Sequence, residues 1–281
     1  MLRVAVPNKG SLSESASEML REAGYRQRTD TRELVLRDDP NGIEFFFLRP
    51  RDIAVYVGEG TLDVGITGRD LLLDSGAHAE EMISLGFGSS RFYFAARPGM
   101  LTALTDLIGR RIASSYPQLV TRHLAERGIT ARVVRLDGAV ETAIQLGVAD
   151  VIADVVSTGT TLRAAGLEIF GDPILHSEGV VIRRKGSASG DDVQVLLRRL
   201  QGVLVARQYV MMDYDVPTAL VEKACVITPG LESPTVAELR RADWSAVRAM
   251  VPRSATNQVM DDLYALGARA ILVTQIHACR L

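Results

Sequence analysis

Short apolar runs alternate with amphipathic stretches along roughly the first two thirds of the chain. Apolar strands are predicted at residues 2–6, 43–48, 91–96, 112–115, 132–136 and 179–184. Helices are predicted between strands, among them residues 13–23, which end before Gly24, and a segment from Pro117 to Gly128. Strands that alternate with helices are typical of an α/β fold with largely parallel sheets.

The pattern changes after a long predicted helix at residues 191–205. The chain beyond it predicts a strand, a helix, two strands, a helix and a final strand. These elements are residues 209–216, 217–223, 225–228, 246–251, 257–266 and 270–276. This order is that of a split βαβ, or ferredoxin-like, unit, for which about 70 residues suffice. We therefore expect a domain boundary near residues 207–212.

A weak internal repeat relates two parts of the α/β region. Residues 60–68 (GTLDVGITG) are similar to residues 147–154 (GVADVIAD), and Thr-Gly follows the second copy at residues 158–159. Two lobes built on one plan would produce this repeat, and chance similarity of two short β–α units is the alternative. In the two-lobe case a ligand cleft is expected between the lobes, because ligands bind beyond the carboxyl ends of parallel strands.

Composition narrows the class of protein. The chain has 281 residues, of which 47% are hydrophobic and 23% charged, so wholesale disorder is excluded. Its net charge of -2 argues against a nucleic-acid partner and leaves a local anion site open. No apolar stretch approaches the roughly 18 residues of a membrane span, and the polar segment after residue 6 is unlike a secretory signal. Two cysteines and four scattered histidines show no zinc or disulfide spacing, so we expect a cytoplasmic protein.

The most informative segment for chemistry is residues 141–162 (ETAIQLGVADVIADVVSTGTTL). Asp154 lies on a strand face among apolar residues, where an unpaired carboxylate is costly. The following Ser-Thr-Gly-Thr-Thr supplies hydroxyls and backbone N–H groups at a helix start, which suit a phosphate. The carboxylate could then bind ribose hydroxyls while the loop binds a 5-phosphate. A helix cap for the Ser/Thr run and a bond from Asp154 to a nearby turn are the alternatives. The spacing of Asp150 and Glu141 favours the phosphoribosyl interpretation.

Weaker candidates lie after other strands. Lys9 and Gly10 follow the first strand and could meet phosphate oxygens, although a solvated loop lysine is the simpler interpretation. Residues 49–52 (RPRD) could reach the same edge, or form a turn in which Asp52 caps the next helix. Tyr116 could stack on a base or be a tyrosine at the edge of the core.

Residues 141–162 resemble the phosphoribosyl-diphosphate-binding signature of the ATP phosphoribosyltransferase family, the first enzyme of histidine biosynthesis. Residues 49–52 with 63–70, and residues 6–10, resemble two further stretches of that family. Residues 228–235 and 246–252 resemble the regulatory domain of its long form. Ser11 departs from the family pattern, because many relatives carry an arginine after Lys-Gly. Any role of a cation at that position is therefore unassigned in this chain.

The resemblance implies two lobes like those of periplasmic binding proteins and a C-terminal ferredoxin-like (βαββαβ) regulatory domain. Lobe I would comprise residues 1–90 and 180–207, lobe II residues 91–179, and the regulatory domain residues 208–281. The implied reaction joins N1 of the adenine of ATP to C1 of phosphoribosyl diphosphate and releases pyrophosphate. Mg²⁺ would be bound to the diphosphate, and its protein ligands are unknown. Histidine would inhibit the enzyme, and the chain would form homo-oligomers (dimers and hexamers).

The resemblance also implies roles for individual residues. Catalytic roles fall to Asp154, Lys9 and Arg49. Contacts to phosphoribosyl diphosphate fall to Glu141, Asp150, Asp154, Ser157, Thr158, Gly159, Thr160, Thr161 and Gly10. Contacts to ATP fall to Tyr116 and Asp70, and contacts to histidine to Asp215, Leu231, Ser233, Thr235 and Ala270. A turn around Pro234 is the competing explanation for Ser233 and Thr235.

Two other functions fit parts of the pattern. A non-catalytic two-lobe sensor of a small anion would share the lobed architecture, but the lack of an export signal and the Asp154 segment count against it. A phosphoribosyltransferase for another base differs only on the base side of the cleft. Turnover with ATP, compared with other bases, separates these possibilities.

Overall fold

The computed structural model describes residues 1–156, 159–188 and 190–280. The chain divides into two compact units. One comprises Met1–Arg21 with Tyr25–Val193, and the other comprises Glu22–Gly24 with Gln194–Leu281. In the described part of the chain, no helix combines the length and the hydropathy needed to cross a membrane.

The first sheet of the larger unit, which forms lobe I, begins with the start of the chain. Its elements are β1 (Leu2–Pro7), α1 (Ser11–Glu22), β2 (Val35–Asp38), β3 (Ile43–Leu48), α2 (Pro50–Gly58), β4 (Val64–Gly68), α3 (Arg69–Ser75) and β5 (Ala79–Ser84). β1 runs parallel to both β3 and β4. These strands are apolar because α2 packs its fully buried Ile53, Ala54 and Val57 against the sheet.

The second sheet, which forms lobe II, follows in the chain. Its elements are β6 (Ser90–Ala96), β7 (Arg111–Ser114), α4 (Pro117–Ala125), β8 (Arg132–Arg135), α5 (Thr142–Gln145), β9 (Val151–Val156), α6 (Thr160–Ala164) and β10 (Glu168–Ser177). The strand order is β10-β6-β9-β7-β8, with β7 parallel to β8 and β9. Phe92 and Phe94 of β6 and Leu119 of α4 are buried in its core.

The chain crosses between the two sheets twice, from β5 to β6 and from β10 to β11 (Gly179–Arg184). β11 completes the first sheet, whose order is β2-β3-β1-β4-β11-β5. Two α/β lobes joined by two crossovers confirm the predicted architecture like that of periplasmic binding proteins. The expectation of largely parallel sheets holds only for the central strands. β11 and β6 run antiparallel to their neighbours because they enter from the other lobe.

The C-terminal unit confirms the ferredoxin-like order. After α7 (Asp191–Gln208) come β12 (Tyr209–Pro217), α8 (Val221–Ile227), β13 (Thr235–Glu238), β14 (Trp244–Pro252), α9 (Thr256–Leu266) and β15 (Arg269–Gln275). The strand order is β13-β14-β12-β15, and both helices contribute to one core. The division between the units falls inside α7, whereas the sequence places the boundary after this helix. The limits of the three predicted domains stay a prediction.

The predicted strand at residues 225–228 is wrong. Most of this segment belongs to α8, and the second strand of the unit lies later, at β13. Ala224 is fully buried in the core of the unit, with Cys225 packed beside it. The Thr228 backbone N–H donates to the Ala224 carbonyl at 3.0 Å, as a helical turn requires. Apolar residues spaced for a helix were misread as a short buried strand, an ambiguity that hydrophobicity alone does not resolve.

Candidate active site

Asp154 lies near the carboxyl end of β9, opposite Tyr93 of β6, and is half-buried. The Val155 backbone N–H donates to its Oδ1 at 2.7 Å. Burial raises the pKa of the Asp154 carboxyl, and the negative charges of Glu141 and Asp70 raise it further. Among the described residues, no lysine or arginine forms an ion pair with Asp154. The carboxylate is therefore not neutralised by a side chain in the described part of the chain.

The predicted phosphate loop follows β9. Ser157 and Thr158 lie outside the described residues. Gly159 precedes α6 with a φ of 70°, a left-handed conformation that favours glycine. Thr160 and Thr161 are exposed at the start of α6, and Arg163 on the same turn donates to the Thr160 hydroxyl at 3.5 Å. Sequence analysis missed Arg163, although its place four residues after Gly159 is the signal that could have found it.

Lys9 and Arg49 lie at one edge of lobe I. They follow β1 and β3, which are parallel neighbours, and both residues are exposed. The two loops are joined by the Asn8 backbone N–H, which donates to the Leu48 carbonyl at 2.8 Å. Parallel strands end at the same edge of a sheet, so the structure brings these two predicted cations together.

The loop at residues 8–10 has a further cation that sequence analysis missed. The Arg28 guanidinium donates to the Asn8 carbonyl at 3.2 Å and lies 4.1 Å from the centre of the Phe47 ring. Gly10, at a φ of 76°, turns the chain into α1, which begins at Ser11. Arg28 therefore supplies a positive charge to the loop that has serine after Lys-Gly. No local pattern pointed to it, because it lies twenty residues away along the chain.

Asp70 and Tyr116 come from different lobes and meet. Asp70 of α3 is buried, and its Oδ1 accepts a hydrogen bond from the Ser177 hydroxyl at 2.9 Å. The Tyr116 hydroxyl faces the same carboxylate, and burial together with the charge of Asp70 raises the pKa of Tyr116. The Tyr116 ring packs edge-on against Phe92, with 5.3 Å between ring centres. Tyr116 is thus a residue at the edge of the core whose hydroxyl lies near Asp70.

Asp150 is not brought to Asp154. It lies at the opposite end of β9, where its carboxylate accepts hydrogen bonds from the Arg111 backbone N–H at 3.0 Å and from its Nη2 at 2.8 Å. The Arg111 side chain lowers the pKa of Asp150 to about 2. In lobe I, Asp63 likewise accepts the Arg3 backbone N–H, at 2.8 Å. The repeat aligns Asp63 with Asp150 and could have predicted this shared role of tying strands together.

Glu141 lies near Asp154. It is half-buried and comes directly before α5, close enough to Asp154 to raise the pKa of that carboxyl. Within the described residues, no group of three or more histidine, cysteine, aspartate or glutamate side chains is arranged to hold a metal ion.

The C-terminal unit contains a pocket of 410 Å³ lined by residues of its sheet. Asp215, Thr235 and Ala270 of the predicted histidine site are among its lining residues. Ala270 has a φ of 50°, left-handed for a residue that is not glycine, beside a register shift between β12 and β15. Leu231 and Ser233 are not among the lining residues. The Ser233 hydroxyl donates to the Pro234 carbonyl at 3.4 Å, which fits the turn explanation.

Two α/β lobes with cations at one edge and a carboxylate beside a glycine turn at the other define a two-lobe protein with a polar cleft. A separate ferredoxin-like unit follows the two lobes in the chain. The ATP phosphoribosyltransferase family model matches residues 49–202, and the model described as HisG, C-terminal domain, matches residues 206–278. The chain therefore belongs to the ATP phosphoribosyltransferase family and is a transferase.

Similar proteins agree with this membership over the whole chain. ATP phosphoribosyltransferase of Arthrobacter sp. (strain FB24) is 68% identical over 100% of both chains. That of Streptomyces coelicolor is 64% identical, again over 100% of both chains. A solved structure of the ATP phosphoribosyl transferase (HisG:HisZ) complex from Thermotoga maritima is 28% identical, with a TM-score of 0.62. It covers 73% of this chain and 98% of its own.

Proposed function

We propose that the chain transfers the phosphoribosyl group of phosphoribosyl diphosphate to N1 of the adenine of ATP, the first step of histidine biosynthesis. The observation that carries this proposal is Asp154, a carboxylate without a cationic partner among the described residues, on the strand that leads to the Gly159 turn. Full-length relatives with this activity in their names support it.

Asp154 is proposed to stabilise the transition state. The adenine ring is itself a nucleophile, so the reaction needs no strong base. Its barrier lies in breaking the bond from C1 to the diphosphate, which leaves positive charge on the ribose. An ionised carboxylate in a half-buried site stabilises that charge more strongly than it would in water. Asp154 also accepts hydrogen bonds from ribose hydroxyls, and Glu141 lies near it.

The phosphates are proposed to bind at the two edges of the cleft. Lys9 and Arg49, exposed at the edge of lobe I, offset the charge of the departing diphosphate. The hydroxyls of Thr160 and Thr161 and the N–H groups at the Gly159 turn bind the 5-phosphate and orient C1. Mg²⁺ bound to the diphosphate would neutralise part of its charge, since magnesium prefers phosphate oxygens and water to an all-protein cage. The carboxylates of Asp154 and Glu141 would accept hydrogen bonds from the waters of such an ion.

Adenine is proposed to lie against Tyr116. The Tyr116 hydroxyl faces the Asp70 carboxylate, so the ring is the surface proposed to meet the base. The Asp70 carboxylate accepts a hydrogen bond from Ser177, which favours an indirect role in ATP binding.

One assay tests the reaction. The purified protein is incubated with ATP, phosphoribosyl diphosphate and Mg²⁺, and the ultraviolet absorbance of N1-substituted adenine is followed. A change with ATP and not with other bases is expected. Binding of the diphosphate without turnover would favour an anion sensor. An equal change with other bases would favour a different phosphoribosyltransferase.

The pocket of the C-terminal unit is proposed to bind histidine as a feedback inhibitor in a homo-oligomer. Asp215 of β12 supplies a carboxylate for the amine or imidazole, and Thr235 of β13 supplies a hydroxyl. Asp215→Asn should raise the histidine concentration needed for inhibition about 10-fold while uninhibited turnover stays the same. Asp243→Asn, which removes an exposed acid paired with Arg241 in the same unit, is the matched control. Equal histidine sensitivity of both variants would contradict the assignment.

A further inference from the structure

α3 presents two buried carboxylates to lobe II. Asp70 is 8% and Asp74 is 6% exposed, and their spacing of four residues places both on one face of the helix. Two buried acids on so short a helix require partners, because an unpaired buried charge is strongly destabilising. Asp70 has Ser177 and Tyr116, as described above.

The two carboxylate oxygens of Asp74 accept hydrogen bonds from different helices. Its Oδ1 accepts the backbone N–H groups of Gln118 and Leu119, at 2.9 and 3.1 Å, in the first turn of α4. Its Oδ2 accepts a hydrogen bond from Nη1 of Arg51 at 2.9 Å. Asp74 therefore caps the helix of lobe II that starts directly after Tyr116, and at the same time holds an arginine of α2.

Arg51 connects this carboxylate to Tyr116. Its guanidinium lies 5.1 Å from the centre of the Tyr116 ring, and its other contact is Oδ2 of Asp74. The ring therefore contacts Phe92 edge-on and has the Arg51 guanidinium beside it, while its hydroxyl lies near Asp70. Both acids of α3 therefore lie in the surroundings of Tyr116, Asp70 directly and Asp74 through Arg51.

We propose that Asp74 is a positioning residue for ATP, acting through Arg51 on the Tyr116 ring and through α4 on the closure of the two lobes. The proposal rests on the proposed function, because it takes Tyr116 as the surface for adenine. Asp74 and Arg51 touch no reacting atom, so their loss acts first on the binding of ATP. The affinity for phosphoribosyl diphosphate depends on Asp154 and α6 and changes little.

The divided carboxylate allows a selective test. Asp74→Asn keeps an oxygen for the two N–H groups of α4 but turns an NH₂ group towards Arg51, so two donors face each other. The KM for ATP should rise about 10-fold, with the KM for phosphoribosyl diphosphate within twofold of the wild type and the unfolding midpoint nearly unchanged. Arg51→Met should raise the KM for ATP by a similar factor. The double variant should do no more than either single one, because both remove the same interaction.

Asp63→Asn is the matched control, since Asp63 also accepts a backbone N–H and lies near an arginine, but at the opposite end of the strands. Its KM values should equal those of the wild type. ATP binding by calorimetry in the full-length variants gives the same comparison without turnover. If the wild type does not turn over the substrates but Asp74→Asn still lowers the affinity for ATP, only the proposed reaction is contradicted. Unchanged ATP affinity, an equal rise for both substrates, or additive effects in the double variant would overturn the positioning role.

Discussion

Two aspartates at the two ends of β9, Asp150 directly before the strand and Asp154 within it, have opposite environments. Asp150 at its start is held by Arg111, and its pKa is lowered to about 2. Asp154 near its end has no ion-pair partner among the described residues, and burial raises its pKa. A carboxylate whose charge is already neutralised adds stability, whereas one that is ionised without a partner can stabilise a cation that forms during a reaction. The same residue type therefore has a neutralising partner at one end and, in the proposed function, acts on the substrate at the other.

The matching residues of lobe I show which of the two aspartate environments is common to both lobes. Asp63 occupies the place of Asp150 and bonds the backbone of Arg3. Thr67 occupies the place of Asp154, and its hydroxyl donates to the Pro50 carbonyl at 2.8 Å. The first aspartate is thus common to both copies of the repeat. An acid in place of a hydrogen-bonded threonine is what distinguishes the copy of the repeat in lobe II.

The largest effect is expected for Asp154→Asn. Turnover should fall at least about 100-fold, since the charge that stabilises the cationic ribose is removed while the shape is kept. The free energy of unfolding should stay the same or rise, because the buried charge that opposes folding is lost. The product assay and denaturant unfolding check the two parts. Near-normal turnover of the folded variant would show that Asp154 is not catalytic.

A smaller loss of activity is expected for Lys9→Gln. The exposed ammonium at the edge of lobe I would no longer offset the charge of the leaving diphosphate, so turnover should fall on the order of 10-fold. Lys185→Gln is the matched control, since Lys185 is equally exposed but follows β11 at the other end of the sheet. Steady-state rates at saturating substrate test this. The same rate in both variants would remove Lys9 from the site.

Asp154 and Asp150 should contribute to the pH dependence of the unfolding free energy with opposite signs. The pKa of Asp154 is raised by folding, so its contribution to stability decreases as pH rises from its unfolded value through its folded one. Asp154→Asn should remove this decrease. Unfolding midpoints of wild type and variant across acidic pH measure the difference. Parallel curves would contradict the raised pKa.

The smallest effect is expected for Asp150→Asn. The folded pKa of Asp150 is about 2, below its ordinary 3.8, so its contribution is present at neutral pH and lost as pH falls from about 4 to about 2. The pair with Arg111 is partly exposed, so the variant should lose only about 1 kcal/mol of unfolding free energy at neutral pH. Turnover should be unchanged. A large loss of activity without loss of stability would return Asp150 to the substrate site.

The sequence by itself determined the parts of the molecule that depend on local pattern. Period-two and period-3.6 hydrophobicity predicts most strands and helices, Gly159 marks the turn after β9, and the repeat predicts the two lobes. The Asp154 segment also identified the family, because its residues are close together along the chain.

Only the tertiary structure decided the partner of each charge. Asp150 meets Arg111 from 39 residues away, and Asp74 meets the start of α4 from 44 residues away. Such pairs form where strands and helices from distant parts of the chain pack together, so no periodicity reports them. The physical reason is that burial and neighbouring charge, rather than residue type, set whether a carboxylate is neutralised, caps a helix or remains free to act on a substrate.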